Sequence, residues 1–205
     1  MTGDTLFPDR IETERLAFER FDEHVDLYEF VGRDDWQGAA TEHIPWFCFE
    51  RVDEVVEFVD AAERRWTDGE RARYLLRRRT DDAIVGTAAY VPEWEPHRAG
   101  SDIVLAREYW GDEYGLERAS AFVELTFETY DLDAYYTTCA AGNEPSRRMI
   151  EKYVKRYGGR HEDLLRQHSP RPGGEVTDQH RFTITEAEYR EATADRETLQ
   201  FAVEW

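Results

Sequence analysis

Ile103-Val-Leu-Ala-Arg-Glu-Tyr-Trp-Gly-Asp-Glu-Tyr-Gly-Leu-Glu-Arg-Ala119 carries three patterns in succession. Ile103–Ala106 is a short apolar run of the kind that forms a buried strand. Leu116, Ala119, Phe122, Val123, Phe127 and Tyr130 then recur on one face at helical spacing, which predicts a helix over 115–130. Between them lies a tight loop with glycines at 111 and 115. The first backbone N–H groups of a helix lack internal partners, and the helix dipole favours an anion there. Gly111 and Gly115 permit the sharp turn and close backbone approach that a phosphate cradle needs. Taken alone, strand, glycine loop and helix make an anion site one option among several.

A second segment sharpens the reading. The β-rich run Ala134-Tyr-Tyr-Thr-Thr-Cys-Ala140 is followed by Asn143-Glu-Pro-Ser-Arg-Arg-Met-Ile-Glu-Lys-Tyr153, which opens another helix. Together the two segments resemble the GNAT superfamily of N-acetyltransferases, most closely its RimJ/RimL-type branch, which acetylates N-terminal amines of ribosomal proteins. In that branch the cofactor loop reads Tyr-Trp-Gly-x-Gly-Tyr-Ala-x-Glu-Ala, and Tyr109, Trp110, Gly111, Tyr114, the small Gly115 and Glu117 match it. The later pattern Asn-x-x-Ser-x-Arg-x-x-Glu-Lys matches Asn143, Ser146, Arg148, Glu151 and Lys152. Glu12-Thr-Glu-Arg-Leu-Ala-Phe18 is similar to the family's first strand. The resemblance spans roughly residues 10–190.

The chain has 205 residues, most simply one domain, with residues 186–205 as an acidic extension. It holds 45 acidic against 26 basic residues, a formal net charge of −19, and its only lysines are Lys152 and Lys155. Such an acid-rich, lysine-poor composition is that of cytosolic proteins from salt-accumulating microbes. It argues against non-specific binding to nucleic acid or an anionic membrane, because like charges repel. In molar salt the Debye length is about 3 Å, so long-range steering of a substrate would be weak. Cys48 and Cys139 make no disulfide framework and read as free thiols. No segment is apolar enough to span a membrane and no signal-peptide core precedes the domain, so a cytoplasmic protein is expected. The histidines show no metal-ligand spacing, and no metal is expected.

Element by element, Leu16–Phe21 reads as a strand and Asp22 as the cap of a short helix bearing Val25, Tyr28 and Val31. Gly32–Gly38 reads as a loop. Val52, Val55, Val56, Val59, Ala62 and Trp66 form a clean helical stripe ended at Asp68-Gly69. Ala72–Arg79 and Ile84–Val91 read as a hairpin, 92–100 as a second turn, 101–106 as the next strand. Strand 134–140, helix 146–157, and strands at 161–166 and 181–185 follow. The apolar end Phe201-Ala-Val-Glu-Trp205 docks on the domain or on a partner. This order suggests a mixed α/β protein. The resemblance implies the GNAT fold: a mostly antiparallel central sheet, splayed between two parallel strands and flanked by helices.

Acetyl transfer from a thioester to an amine is dominated by orientation, which supplies roughly 7–11 kcal/mol, whereas a general base adds about 10²–10⁴-fold. The resemblance implies acetyl-CoA as co-substrate. Its pantetheine would lie along Ile103, Val104 and Leu105 like an added strand, and its pyrophosphate over the amides of Trp110, Gly111, Asp112, Glu113, Tyr114 and Gly115. Glu113 departs from the pattern, since relatives carry glycine there. A carboxylate about 5 Å from pyrophosphate would cost about 3 kcal/mol at an effective dielectric of 20; alternatively it faces solvent, or Arg107 or Arg118 neutralises it. By the same resemblance Ser146 is the candidate acid for the leaving thiolate, although a small polar residue also suits a first helical turn. Asn143 either contacts pantetheine or caps its helix. Tyr153 reads as core.

The glutamate base usual on the family's fourth strand is missing, with Gly100 nearest to its place. Asp102 is the closest carboxylate and reads equally as an exposed strand residue; Glu93, Glu95 and His97 are weaker candidates. An N-terminal amine, with a pKa near 8, needs less of a base than lysine near 10.4. Ile44-Pro-Trp-Phe-Cys-Phe49 is either core or part of an acceptor pocket. The expected activity is transfer of acetyl from acetyl-CoA to a primary amine, a protein N-terminus or a small molecule, by direct attack in a ternary complex. The alternative is a GNAT-fold binding or regulatory protein that has lost catalysis. Oligomeric state stays open, a homodimer included.

Overall fold

Alternating apolar positions in Ala72–Arg78 and Ile84–Glu93 build the hairpin β3–β4, in which Leu75 faces Thr87 and Tyr74 faces Ala88. The structure is a computed structural model and describes residues 5–31, 36, 42–44, 47–170, 174–196 and 201–205. It divides into two compact units, Met1–Pro92 with Asp102–Tyr114 and Gln200–Trp205, and Glu93–Ser101 with Gly115–Leu199.

In the first unit, β1 (Arg10–Glu12) pairs antiparallel with β2 (Leu16–Arg20), β2 with β3, and β3 with β4. The strand β5 (Arg98–Leu105) contributes its second half here, beside β4. The apolar chain end resolves as β9 (Ala202–Glu204), antiparallel to β1 with Val203 opposite Ile11, so it docks on its own unit. The stripe Val52–Trp66 forms the helix α2 (Val52–Thr67), whose first turn is closed by the Glu54 carboxylate accepting from Glu50 N at 2.9 Å. Phe21, Phe30, Trp36, Phe47, Phe49, Val55 and Val104 form its aromatic core. Burial of such rings dominates core energetics, at about 1.5–3 kcal/mol each.

Two expectations are corrected in this region. The short helix α1 (Phe21–His24) begins before Asp22, with Arg20 as its N-cap; Asp22 lies in the first turn and pairs with Arg20 at 2.8 Å. The strand expected at Leu16–Phe21 is β2, ending one residue earlier, and an unexpected strand β1 precedes it across a tight turn in which Thr13 N donates to Leu16 O at 2.9 Å. Of the expected loop 32–38, only Trp36 lies among the described residues, and it is buried.

In the second unit the first half of β5 runs parallel to β6 (Ala134–Ala140), from Arg98 beside Ala134 to Gly100 beside Tyr136. Antiparallel pairs β6–β8 (Val176–Thr185) and β7 (Arg160–Pro170)–β8 complete it. The expected helix 115–130 is α3 (Tyr114–Glu124) continued by a wider turn at Leu125–Thr129. The next is α4 (Glu144–Arg156), and α5 (Glu186–Thr193) occupies part of the acidic extension. The expected turn 92–100 is shorter, because β4 extends to Glu93 and β5 already starts at Arg98; the Arg98–Glu93 ion pair, 2.6 Å, clamps the two ends. The chain is mixed α/β, mostly antiparallel with one parallel strand pair among the described residues.

Candidate active site

The loop after β5 is built almost wholly in the first unit. Ala106 N donates to Val85 O at 3.0 Å, which ends the strand, and one 3₁₀ turn follows at Arg107–Tyr109. The Trp110 indole folds back so that its Nε1 donates to Leu105 O at 3.0 Å, while 43% of the residue stays exposed. Gly111 takes φ +95°, and a Cβ there would meet nothing within 4 Å, so the loop face at 111 is open. Glu113 takes φ +64°, the left-handed region that favours glycine. The loop therefore keeps a backbone conformation suited to the glycine of the family pattern while carrying a carboxylate.

Two arginines brace this loop. Arg15 Nη1 donates to the Asp112 carbonyl at 2.9 Å, and its guanidinium lies 4.8 Å from the Tyr114 ring centroid. Arg78 lies 5.2 Å over Tyr109 and pairs with Asp81 at 2.6 Å. Neither was legible as a loop neighbour, being contributed by β2's entry and by β3. They place positive charge beside the segment 110–115, whose own charges are Asp112 and Glu113. The amides of α3's first turn, with Tyr114 first in the helix, are donors without intrahelical partners.

Among the remaining first-unit candidates, Val104 is buried in the aromatic core, and Ile103 and Leu105 are half-buried. Asp102 is occupied by arginines: Arg73 Nη2 at 2.9 Å and Arg71 Nη1 at 3.2 Å. Arg73 is almost completely buried; burial pulls its pKa down and Asp102 pushes back. Asp102 thus serves as counter-charge to a buried guanidinium. Phe47 and Phe49 belong to the core, which answers for that part of the 44–49 run; Pro45 and Trp46 lie outside the described residues.

Gly115, Asn143 and Ser146 fall in the second unit. Asn143 is the N-cap of α4, its Oδ1 accepting from Ser146 N at 3.1 Å, with Pro145 in the first turn. The bond uses the backbone N–H of Ser146 and not its hydroxyl. Tyr153 is buried against Tyr135, as a core residue should be. Burial raises the Cys139 thiol to about 11, and both cysteines are free. No group of three or more metal-ligating side chains occurs among the described residues.

The second unit also assembles polar groups that the motifs missed. Arg118 is 2% exposed and its Nη1 donates to Ser101 Oγ at 2.6 Å; Ser101 also meets the Tyr135 hydroxyl. On β6 the neighbouring Tyr136 has the guanidiniums of Arg181 and Arg98 over its ring, 4.5 and 5.1 Å from the centroid, and its hydroxyl donates to Glu93 Oε1. Burial and then the Glu93 carboxylate push the Tyr136 phenol up to about 12. Burial works to raise Glu93, but the Tyr136 hydroxyl and Arg98 outweigh it and hold its pKa below the usual value. Glu93 was among the weaker candidates; the tyrosine's alternation on β6 was visible, its partner 43 residues away was not.

Comparison with known proteins follows the same lines. The family model described as an acetyltransferase (GNAT) domain matches residues 15–153. No curated protein sequence matches the chain. Among solved structures, a GNAT-family acetyltransferase from Bacillus anthracis superposes with a TM-score of 0.71 at 22% identity, over 87% of this chain and 99% of that one. A putative ribosomal-protein-serine acetyltransferase from Vibrio cholerae gives 0.71 at 18% identity, over 88% and 99%. A microcin self-immunity acetyltransferase, solved with acetyl-CoA and AMP, gives 0.73 at 13% identity, over 88% and 98%. These structures share the fold, and the family model covers well over half of the sequence. The chain belongs to the GNAT acetyltransferase family, acyltransferases that take their acetyl group from acetyl-CoA.

Proposed function

We propose that this protein moves an acetyl group from acetyl-CoA to a primary amine, with protein N-terminal amines as the acceptor class. The observation that carries the reading is the loop 110–115: left-handed backbone at Gly111 and Glu113, an open face at Gly111, and the start of α3 immediately after it. Backbone donors at a helix start suit a diphosphate, and the guanidiniums of Arg15 and Arg78 lie against the loop that leads into that start.

In this reading Ile103, Val104 and Leu105 would pair with pantetheine amides, and Trp110 to Gly115 would hold the pyrophosphate. The Leu105 carbonyl is held by Trp110, so pantetheine would either bond the strand ahead of it or displace the indole. Once the thioester is fixed, the amine attacks its carbonyl carbon, the oxyanion collapses, and the thiolate leaves with a proton that Ser146 is placed by motif to give. The N-terminal acceptor is favoured by resemblance to RimJ/RimL-type sequences and by its lower pKa, which lightens the demand on a base. The acid-rich composition supports a protein working in concentrated salt in the cytoplasm.

The test is calorimetric titration with acetyl-CoA in molar KCl, followed by thiol release in the presence of a seryl tripeptide amide, a free amino acid and spermidine. Binding together with tripeptide-dependent release is the expected result. Binding with release only on spermidine or the amino acid would shift the acceptor to small molecules, and absence of binding would end the reading.

A further inference from the structure

Acetyl transfer to an amine needs somewhere for the amine's proton to go, and Asp102 is tied to Arg73 and Arg71. The second unit offers another acceptor. Glu93 closes β4, Tyr136 lies mid-way along β6, and the hydroxyl of the tyrosine donates to Glu93 Oε1 while Arg98 holds Oε2 at 2.6 Å. The guanidiniums of Arg98 and Arg181 both lie over the Tyr136 ring, 5.1 and 4.5 Å from its centroid, and the hydroxyl is held by Glu93. Beside it stands Gly100, the last residue of β5 paired with β6. A Cβ on Gly100 would lie 2.8 Å from the ring and 3.1 Å from the Tyr136 hydroxyl oxygen. The hydroxyl therefore occupies the place where a side chain of residue 100 would begin, three residues before Ile103 on the same strand. Tyr136, Glu93, Arg98 and Arg181 are all only partly buried, so the group is closed neither to solvent nor to a ligand.

We infer that Tyr136 and Glu93 form the proton-accepting dyad for the acceptor amine, Tyr136 meeting the nitrogen and Glu93 taking the proton. This rests on the acetyl-transfer reading. The amine lone pair attacks the thioester carbonyl carbon; the C–N bond forms and the carbonyl π pair moves to oxygen. The nitrogen, now positively charged and strongly acidic, gives a proton to Tyr136 Oη as Tyr136 passes its own to Glu93 Oε1. The oxyanion re-forms C=O, the C–S bond breaks, and the thiolate takes up a proton as Glu93 returns one to solvent. A phenol held near 12 stays protonated at neutral pH and serves as a relay rather than as a free base. Proton loss after attack lets a carboxylate of low basicity suffice. Arg98 is a positioning residue that orients the carboxylate; Arg181 positions the ring.

The test uses Tyr136→Phe and Glu93→Gln in the full chain, with acetyl-CoA affinity by calorimetry and turnover on a seryl tripeptide amide and on glycinamide. Acetyl-CoA affinity unchanged within about twofold reports an intact fold and cradle. The dyad predicts a kcat loss of about 10²-fold in each variant, with KM for the amine moved less than about threefold. It further predicts that the variants' residual rate climbs tenfold per pH unit where wild type is flat, because water and hydroxide must replace the relay. Wild-type turnover in both variants, with acetyl-CoA bound normally, overturns the dyad and leaves the acetyl-transfer reading standing. A wild-type protein that binds no acetyl-CoA overturns the reading beneath it.

Discussion

Arg73, nearly wholly buried, has its guanidinium 2.9 Å from the Asp102 carboxylate. Arg71 lies against the same carboxylate at 3.2 Å, so one anion balances two cations on neighbouring positions of β3's entry. Removing one partner of a buried ion pair strands the other in a low-dielectric site. Asp102→Asn should therefore destabilise by about 2–4 kcal/mol, the lower part of the range applying because Asp102 is itself partly exposed. Urea unfolding measures this. A double variant with Arg73→Met should recover much of the loss, since no uncompensated charge then remains. An Asp102→Asn protein of unchanged midpoint would show that the pair is ornamental.

Glu113 stands in the left-handed region at φ +64°, a conformation that costs a side-chain-bearing residue about 1–2 kcal/mol. Glu113→Gly relieves that strain but gives the unfolded chain more freedom, so the net gain should stay under about 1 kcal/mol. The more informative readout is acetyl-CoA affinity at low and high salt. A carboxylate facing the phosphates predicts tighter binding in the variant, most clearly at low salt where screening is weakest. Equal affinity at both salts places the carboxylate in solvent.

The elements of this fold are local in the sequence. The stripe Val52–Trp66 reads as α2 because a helix one side of which is buried needs apolar residues every three to four positions. Hairpin β3–β4 and strand β6 read as strands for the corresponding reason with period two. The strand–glycine loop–helix pattern at 103–119 was visible because its glycines and the helix start are adjacent in sequence. The parts that stayed hidden are contacts between distant segments. Asp102 looks like a free strand carboxylate until Arg71 and Arg73, 31 and 29 residues earlier, arrive beside it. Tyr136 looks like an ordinary strand tyrosine until Glu93 and Arg181 converge on it. Periodicity says which face a residue occupies and is silent about which charge sits opposite.

The start of α4 separates capping from chemistry. Asn143 Oδ1 accepts from the backbone N of Ser146, so Asn143→Ala should cost the helix about 1 kcal/mol. Ser146→Ala leaves that bond intact and should barely move the unfolding midpoint. If the Ser146 hydroxyl protonates the departing thiolate, this variant loses turnover by at least tenfold with acetyl-CoA affinity unchanged, and the loss shrinks with a thioester whose thiol is more acidic. Full activity in Ser146→Ala would reduce Ser146 to a first-turn residue.

His180 gives a pH signature in the second unit. Its Nδ1 lies 3.0 Å from His161 Nε2, and Arg147 Nη1 is 3.5 Å from its other nitrogen, on a surface completed by Phe182 and, further off, Glu144 and Glu151. Partial desolvation, then Arg147, then His161 lower its pKa below 6.5, against the smaller pull of the two glutamates. The unfolded chain then binds a proton at higher pH than the folded one, so stability is whole above about pH 6.5 and falls as pH drops toward the folded value. The lowered carboxylates Glu93, Glu188 and Glu12 lose their contribution only below their unfolded value of 4.5, outside this window. The drop in urea midpoint between pH 7 and pH 5 should accordingly be smaller in His180→Gln than in wild type, since glutamine carries no proton to exchange. An identical drop in the two proteins would mean that His161 and Arg147 leave His180 titrating alike in both states.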